Sequence, residues 1–163
     1  MTSAATLPDL GELLLPVLAT VPIAMRPRVI ATLERAAAER YRAWATACPD
    51  PRQTEGLRAC ALREEDIAAR VEKIFPSQPG EQQLIVGVLP KVVEIYGAAI
   101  AARPVLEQYA FQAASERRGA ALWRDLAASL PDAAREALDV CAVLEERSAE
   151  FLEGLVAAGP ARG

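Results

Sequence analysis

Residues 57–71 read LRACALREEDIAARV, and residues 138–152 read LDVCAVLEERSAEFL. In the first, Leu57, Cys60, Ala61, Ile67, Ala68 and Val71 recur at steps of three and four, which places them on one face of a helix. Leu138, Cys141, Ala142, Ala149 and Leu152 do the same in the second. A glutamate, Glu64 or Glu145, interrupts each stripe at the same place, and Glu65 and Glu146 beside them turn about 100° away, toward solvent. Leu57/Leu138, Cys60/Cys141, Ala61/Ala142, Glu64/Glu145, Glu65/Glu146 and Ala68/Ala149 are identical at an offset of 145 − 64 = 81. Alanine matches are cheap in this alanine-rich chain, but Cys-Ala and Glu-Glu steps in the same order are not.

The stretches that precede these two also match. Ala24 to Arg40 laid over Ala101 to Arg117 pairs Arg26/Arg103, Pro27/Pro104, Ala36/Ala113, Glu39/Glu116 and Arg40/Arg117 at an offset of 116 − 39 = 77. The change from 77 to 81 implies about one extra helical turn near the second hairpin loop. Pro and Gly clusters at 49–51, 76–80, 131–132 and 159–160 punctuate the chain. Long helices are predicted at 27–48, 52–75, 104–129 and 133–158. Two further apolar segments, 8–24 and 81–102, should be kinked or divided at Pro16 and Pro90. No alternating strand pattern appears. The expected fold is all-α: four long helices from two tandem repeats, about 8–76 and 79–158, with two additional apolar helical segments, in a single domain spanning 1–163.

With 163 residues, 52% of them hydrophobic, the chain can bury a substantial core without a disulfide or metal. Its net charge of −4 is scattered, with no basic stripe, which argues against a nucleic-acid partner. Between Glu12 and Arg26 lies an uncharged run that is short and broken by Pro16 and Pro22, so membrane insertion is not expected. The N-terminus lacks the positive start of a secretory signal, and the cytoplasm is the expected compartment. Cys48, Cys60 and Cys141 fit neither a disulfide framework nor a zinc pattern and are expected as reduced thiols, with Cys60 and Cys141 as small core residues. The segment from Leu13 to Met25 should either cap the bundle or form a homodimer contact.

Glu116 lies in an apolar line with Tyr109, Ala113, Ala120 and Trp123. Glu39 is flanked by Thr32, Ala36 and Ala43, although its helix has a more hydrophobic second face through Ile30, Leu33, Ala37, Tyr41 and Trp44. One inward glutamate per helix is costly, because a buried, unpaired carboxylate loses several kcal/mol of hydration. The four must hold a cation, take up protons, pair with arginines such as Arg40, Arg63 or Arg117, or open to water.

This pattern resembles the ferritin-like superfamily, in which two related hairpins form a four-helix bundle and often hold two irons or manganeses. There the ligands are a Glu from the first helix of each hairpin and a Glu-x-x-His from the second. Over residues 27–158 the resemblance makes Glu39 and Glu116 the single glutamates, and Glu64 and Glu145 those of the Glu-x-x-His motifs. The histidine positions are Ile67 and Ser148, and the chain contains no histidine. A standard di-iron site is therefore excluded. So are the Ser-His-Asp and Cys-His arrangements, leaving carboxylates, thiols or Tyr109 for any chemistry.

Two classes of function follow. One is a ferritin-like bundle that binds a protein partner or self-associates. The other is a carboxylate-lined protein for a metal, iron or manganese, or for a small ligand, with enzymatic activity left open. The candidate metal ligands are Glu39, Glu64, Glu116 and Glu145.

Overall fold

The computed structural model describes residues 8–159. Its helices are α1 (Leu10–Ala19), α2 (Arg26–Ala47), α3 (Pro51–Ile74), α4 (Glu81–Ile100), α5 (Val105–Ala127) and α6 (Asp132–Ala158), with one 3-10 turn at Ile23–Met25. No strand occurs among the described residues. Asp50 caps α3 by accepting hydrogen bonds from the backbone N–H groups of Arg52 and Gln53 at 2.8 and 3.3 Å, and Pro51 fits the first turn, where its missing N–H costs nothing. Gly80 enters α4 at φ 91°, a conformation that favours glycine.

Neither Pro16 nor Pro90 divides its helix: α1 and α4 run through them. The N-terminal apolar segment breaks instead at Thr20–Pro22, where the chain turns into the 3-10 element. A proline removes a single backbone donor, and packing on one side can hold the helix across that gap.

The long helices pair as two antiparallel hairpins, α2 with α3 and α5 with α6, and α3 packs on α6. Two apolar clusters fill the bundle. One joins Ala31 of α2, Ile67 and Val71 of α3, Trp123 of α5 and Leu138 of α6; the other joins Trp44, Leu57, Tyr109 and Leu152 of the same helices. The memberships fix the directions: α2 and α6 run from the first cluster to the second, and α3 and α5 run back. The connection from α3 to the parallel α5 must therefore cross the length of the bundle, and α4 makes that crossing. A third cluster, Val21, Met25, Val29 and Ile85, fastens the N-terminal segment to α2 and α4, while α1 lies against α4 and α5. That segment packs against the bundle's side, with Leu14 buried and Leu15 and Ile23 exposed.

α4, the crossing helix, is little covered by the rest of the described residues. It is long and apolar enough to cross a membrane by length and composition, with a mean hydropathy of 1.5, and only 17% of that window is buried. Lys91 and Glu94 pair on its surface at 3.0 Å.

A candidate carboxylate metal centre

Between the two main apolar clusters lies a layer of acids. In α3, Glu64 falls between Ala61 of the second cluster and Ile67 of the first; in α6, Glu145 falls between Ala142 and Leu152; in α5, Glu116 falls between Ala113 and Ala120. All three are buried, at 0, 1 and 2% exposure. These three acids point inward, on the faces that carry the apolar stripes.

Glu39 is not brought to them. Its side chain is 75% exposed and accepts a hydrogen bond from Arg42 Nη1 at 2.7 Å. The fourth acid is Glu34, between Ala31 and Ala38 of the two clusters. Five residues separate Glu34 from Glu39, a turn of about 140°, so one α2 face cannot carry both. α2 packs through its more hydrophobic face, where Val29, Ala37, Tyr41 and Trp44 are buried, and Glu34 belongs to that face.

The two hairpins accordingly align in a different register from the one predicted. Arg35 Nε and Nη2 donate to both oxygens of Glu72 at 3.1 and 2.7 Å; Arg117 donates in the same way to Glu153 at 3.0 and 2.7 Å. Arg42 pairs with Glu65, and Arg124 with Glu146. The offsets are 117 − 35 = 82 and 124 − 42 = 82 in the first helices, and 153 − 72 = 81 and 146 − 65 = 81 in the second. Glu34 matches Glu116 at 116 − 34 = 82. The four-residue insertion inferred from an offset of 77 is absent.

One carboxylate oxygen each from Glu34, Glu64 and Glu145 lies within 4.8 Å of the other two. Glu64 Oε1 accepts from Ser148 Oγ at 3.2 Å, while Glu64 Oε2 is buried with no hydrogen-bond partner. Glu145 Oε1 accepts from Trp123 Nε1 at 2.8 Å. Glu116 Oε1 accepts from Tyr41 Oη at 2.7 Å and from Gln112 Nε2 at 2.6 Å. Gln112 Oε1 in turn accepts from Arg40 at 3.0 and 3.2 Å and from Tyr96 Oη at 2.6 Å. The phenol beside the carboxylates is therefore Tyr41. Tyr109, singled out from the sequence, packs edge-on against Trp44 in the second apolar cluster.

No salt bridge among the described residues involves Glu34, Glu64, Glu116 or Glu145. Of the arginines considered as partners, Arg117 is taken by Glu153, Arg63 donates to Cys60 Sγ at 3.4 Å, and Arg40 lies over the Tyr96 ring at 3.7 Å. Burial, reinforced by the neighbouring Glu116 charge, raises the Glu34 carboxyl to about 8. Burial and then the adjacent acids drive Glu64 and Glu145 well above the ordinary carboxylate range. Without a cation these surroundings favour the protonated forms of Glu34, Glu64 and Glu145.

Cys60 and Cys141 are fully buried in the two apolar clusters, and burial pushes both thiols up to about 12. They serve as small core residues. Gly119 has the opposite character: a Cβ there would lie 2.6 Å from Glu145 Oε1 and 2.8 Å from its Cδ, so the glycine makes the space that Glu145 fills. Neither family models nor curated proteins nor solved structures give a match to this chain.

Proposed function

We propose that this chain is a ferritin-like bundle whose carboxylate layer binds a hard divalent cation, manganese above all, through Glu34, Glu64 and Glu145. The observation that carries the reading is the convergence of these three carboxylates, with Glu64 Oε2 buried and unbonded. A buried, unpaired acceptor costs about 1–3 kcal/mol, more when charged, and a cation removes that cost. An all-oxygen donor set without histidine or thiolate suits manganese, magnesium or calcium and leaves zinc and copper without their preferred ligands. The helix directions, with a crossover between parallel α3 and α5, support the ferritin-like reading; so does one inward glutamate from each long helix. Glu116, held by Tyr41 and Gln112, lies in the same layer as the triad.

Equilibrium dialysis with Mn²⁺ at pH 7.5 tests this. Wild type should bind the ion stoichiometrically, Glu34→Gln should weaken binding at least tenfold, and Glu39→Gln should leave it unchanged. Equal losses from both variants, or no binding by wild type, would reject the centre.

A further inference from the structure

The carboxylate layer is not sealed by the bundle's own side chains. Beneath α1 lies a cavity of about 310 Å³. Three of the four acids, Glu34, Glu116 and Glu145, line it, and its other walls are mainly aliphatic, from Leu14 and Leu18 of α1, Leu33 of α2 and Leu122 of α5. Arg40 and Arg118 also reach it. Arg118 pairs with Asp9, the residue that caps α1, so the same arginine ties the roof of the cavity to α5.

We infer that this cavity is a binding site for a small aliphatic carboxylic acid, with its carboxylate at the cation and its chain among the leucines. The inference rests on the cation reading and adds an occupant to it. Three arguments select that class. A hard cation takes six or more oxygens, and two of the triad's oxygens, Glu64 Oε1 and Glu145 Oε1, already accept protein hydrogen bonds, so coordination positions remain for an outside oxygen donor. The leucine walls exclude a polar body such as a sugar or nucleotide, since its hydroxyls would be left unpaired. The bound cation repels an amine head and accepts a carboxylate as an oxygen ligand. A cavity of about 310 Å³ lies at the small end of ligand pockets, which suits a short acid such as octanoate.

Calorimetric titration of sodium octanoate into the Mn²⁺-loaded full chain, together with the Mn²⁺ electron paramagnetic resonance spectrum, tests the proposal. One octanoate per chain should bind, the Mn²⁺ spectrum should change, and affinity should be at least tenfold higher than for metal-free protein. Octylamine should leave the spectrum unaltered. Leu33→Trp, and independently Ala37→Leu, fill the cavity and should abolish octanoate binding while Mn²⁺ affinity stays within about threefold of wild type. Stoichiometric Mn²⁺ binding with no response to octanoate overturns the ligand site and leaves the cation centre standing. Equal affinity with and without Mn²⁺, or an equal response to octylamine, also overturns it. Failure to bind Mn²⁺ is seen before octanoate is added and removes both readings.

Discussion

The two hairpins share a frame and differ at the acids. On the outside, Arg35–Glu72 repeats as Arg117–Glu153, and Arg42–Glu65 repeats as Arg124–Glu146. Inside, the equivalent positions diverge: Tyr41 corresponds to Trp123, Ile67 to Ser148, and Ala37 to Gly119 at the offsets those ion pairs fix. Tyr41 reaches across to the other hairpin's Glu116, whereas Trp123 bonds Glu145 of its own hairpin. Ser148 gives Glu64 a hydrogen bond, and Ile67 can offer Glu145 none. Symmetry has been kept where it sets helix spacing and lost where donors to the carboxylates are chosen, which makes the two sides of the layer chemically different.

The largest effect expected from this layer is a pH-dependent loss of stability in metal-free protein. Glu34 titrates at about 8 when folded, and a free glutamate near 4.5. Between those values the folded state binds more protons than the unfolded state, so stability falls as pH rises through that window. Glu64 and Glu145, raised by the same causes, extend the decline upward. A tenfold difference in proton affinity between the two states is worth about 1.4 kcal/mol. Discounted because Glu34 is partly open to the cavity, its contribution is on the order of several kcal/mol. For a chain of this size that is a drop in Tm on the order of 5–10 °C between pH 5 and pH 8. Glu34→Gln should flatten the drop, and Mn²⁺ should reverse it at pH 8. A Tm unchanged over this range in metal-free wild type would mean that the acids do not interact as their positions require.

Much of this arrangement is legible in the sequence, and the misplacement of Glu39 has a clear origin. The stripes of α3 and α6 are long, regular and matched at a constant offset, so Glu64 and Glu145 stand out at once. α2 contains the Glu-Arg step twice, at Glu34-Arg35 and Glu39-Arg40, and both match Glu116-Arg117. Anchoring on the Arg-Pro steps at 26–27 and 103–104 selects Glu39, because it assumes that the two helices start at equivalent points. They do not: α2 begins at Arg26 and α5 at Val105, and the structural register is five residues away. A signal for the true register was present in Ala31/Ala113, Ala38/Ala120, Arg42/Arg124 and Ala45/Ala127, all identical at 82. The cavity under α1 was not legible, since it depends on how a short helix lies across others far along the chain. Nor was the weak burial of α4, because an apolar helix looks the same in sequence whether or not the rest of the chain covers it.

Exchanging the small residues at the matched positions 37 and 119 probes the inner asymmetry. Gly119→Ala gains about 1 kcal/mol of helix propensity, but its Cβ needs the space of the Glu145 carboxylate. Overpacking of this kind costs about 1–3 kcal/mol, and the carboxylate must leave the triad to relieve it. Mn²⁺ affinity should fall at least tenfold. Ala37→Gly should cost about 1 kcal/mol from the same propensity scale and leave Mn²⁺ affinity within about twofold. Should Gly119→Ala bind Mn²⁺ as wild type does, Glu145 is not a ligand.

The smallest effect expected is the most direct measure of the shared frame. Arg35 with Glu72 and Arg117 with Glu153 are half-exposed, two-point pairs of matching geometry, with side-chain exposures of 48 and 30% in the first and 41 and 48% in the second. Solvent screening and the entropy of fixing long side chains hold such pairs to about 0.2–1 kcal/mol. Double-mutant cycles with alanine at both ends of each pair should give coupling energies that agree within about 0.5 kcal/mol and shrink together in high salt. Arg40 supplies the contrast, because the register predicted from the Arg-Pro steps makes it the counterpart of Arg117. Among the described residues it meets no carboxylate as a salt bridge; instead it donates to Gln112 and covers the Tyr96 ring. An Arg40→Ala, Gln112→Ala cycle should therefore respond little to salt, since its hydrogen-bond acceptor is neutral and its charge rests on an aromatic face. If Arg40 and Arg117 showed matching salt dependence while Arg35 did not, the offset of 82 would be wrong and Glu34 would lose its place as the partner of Glu116.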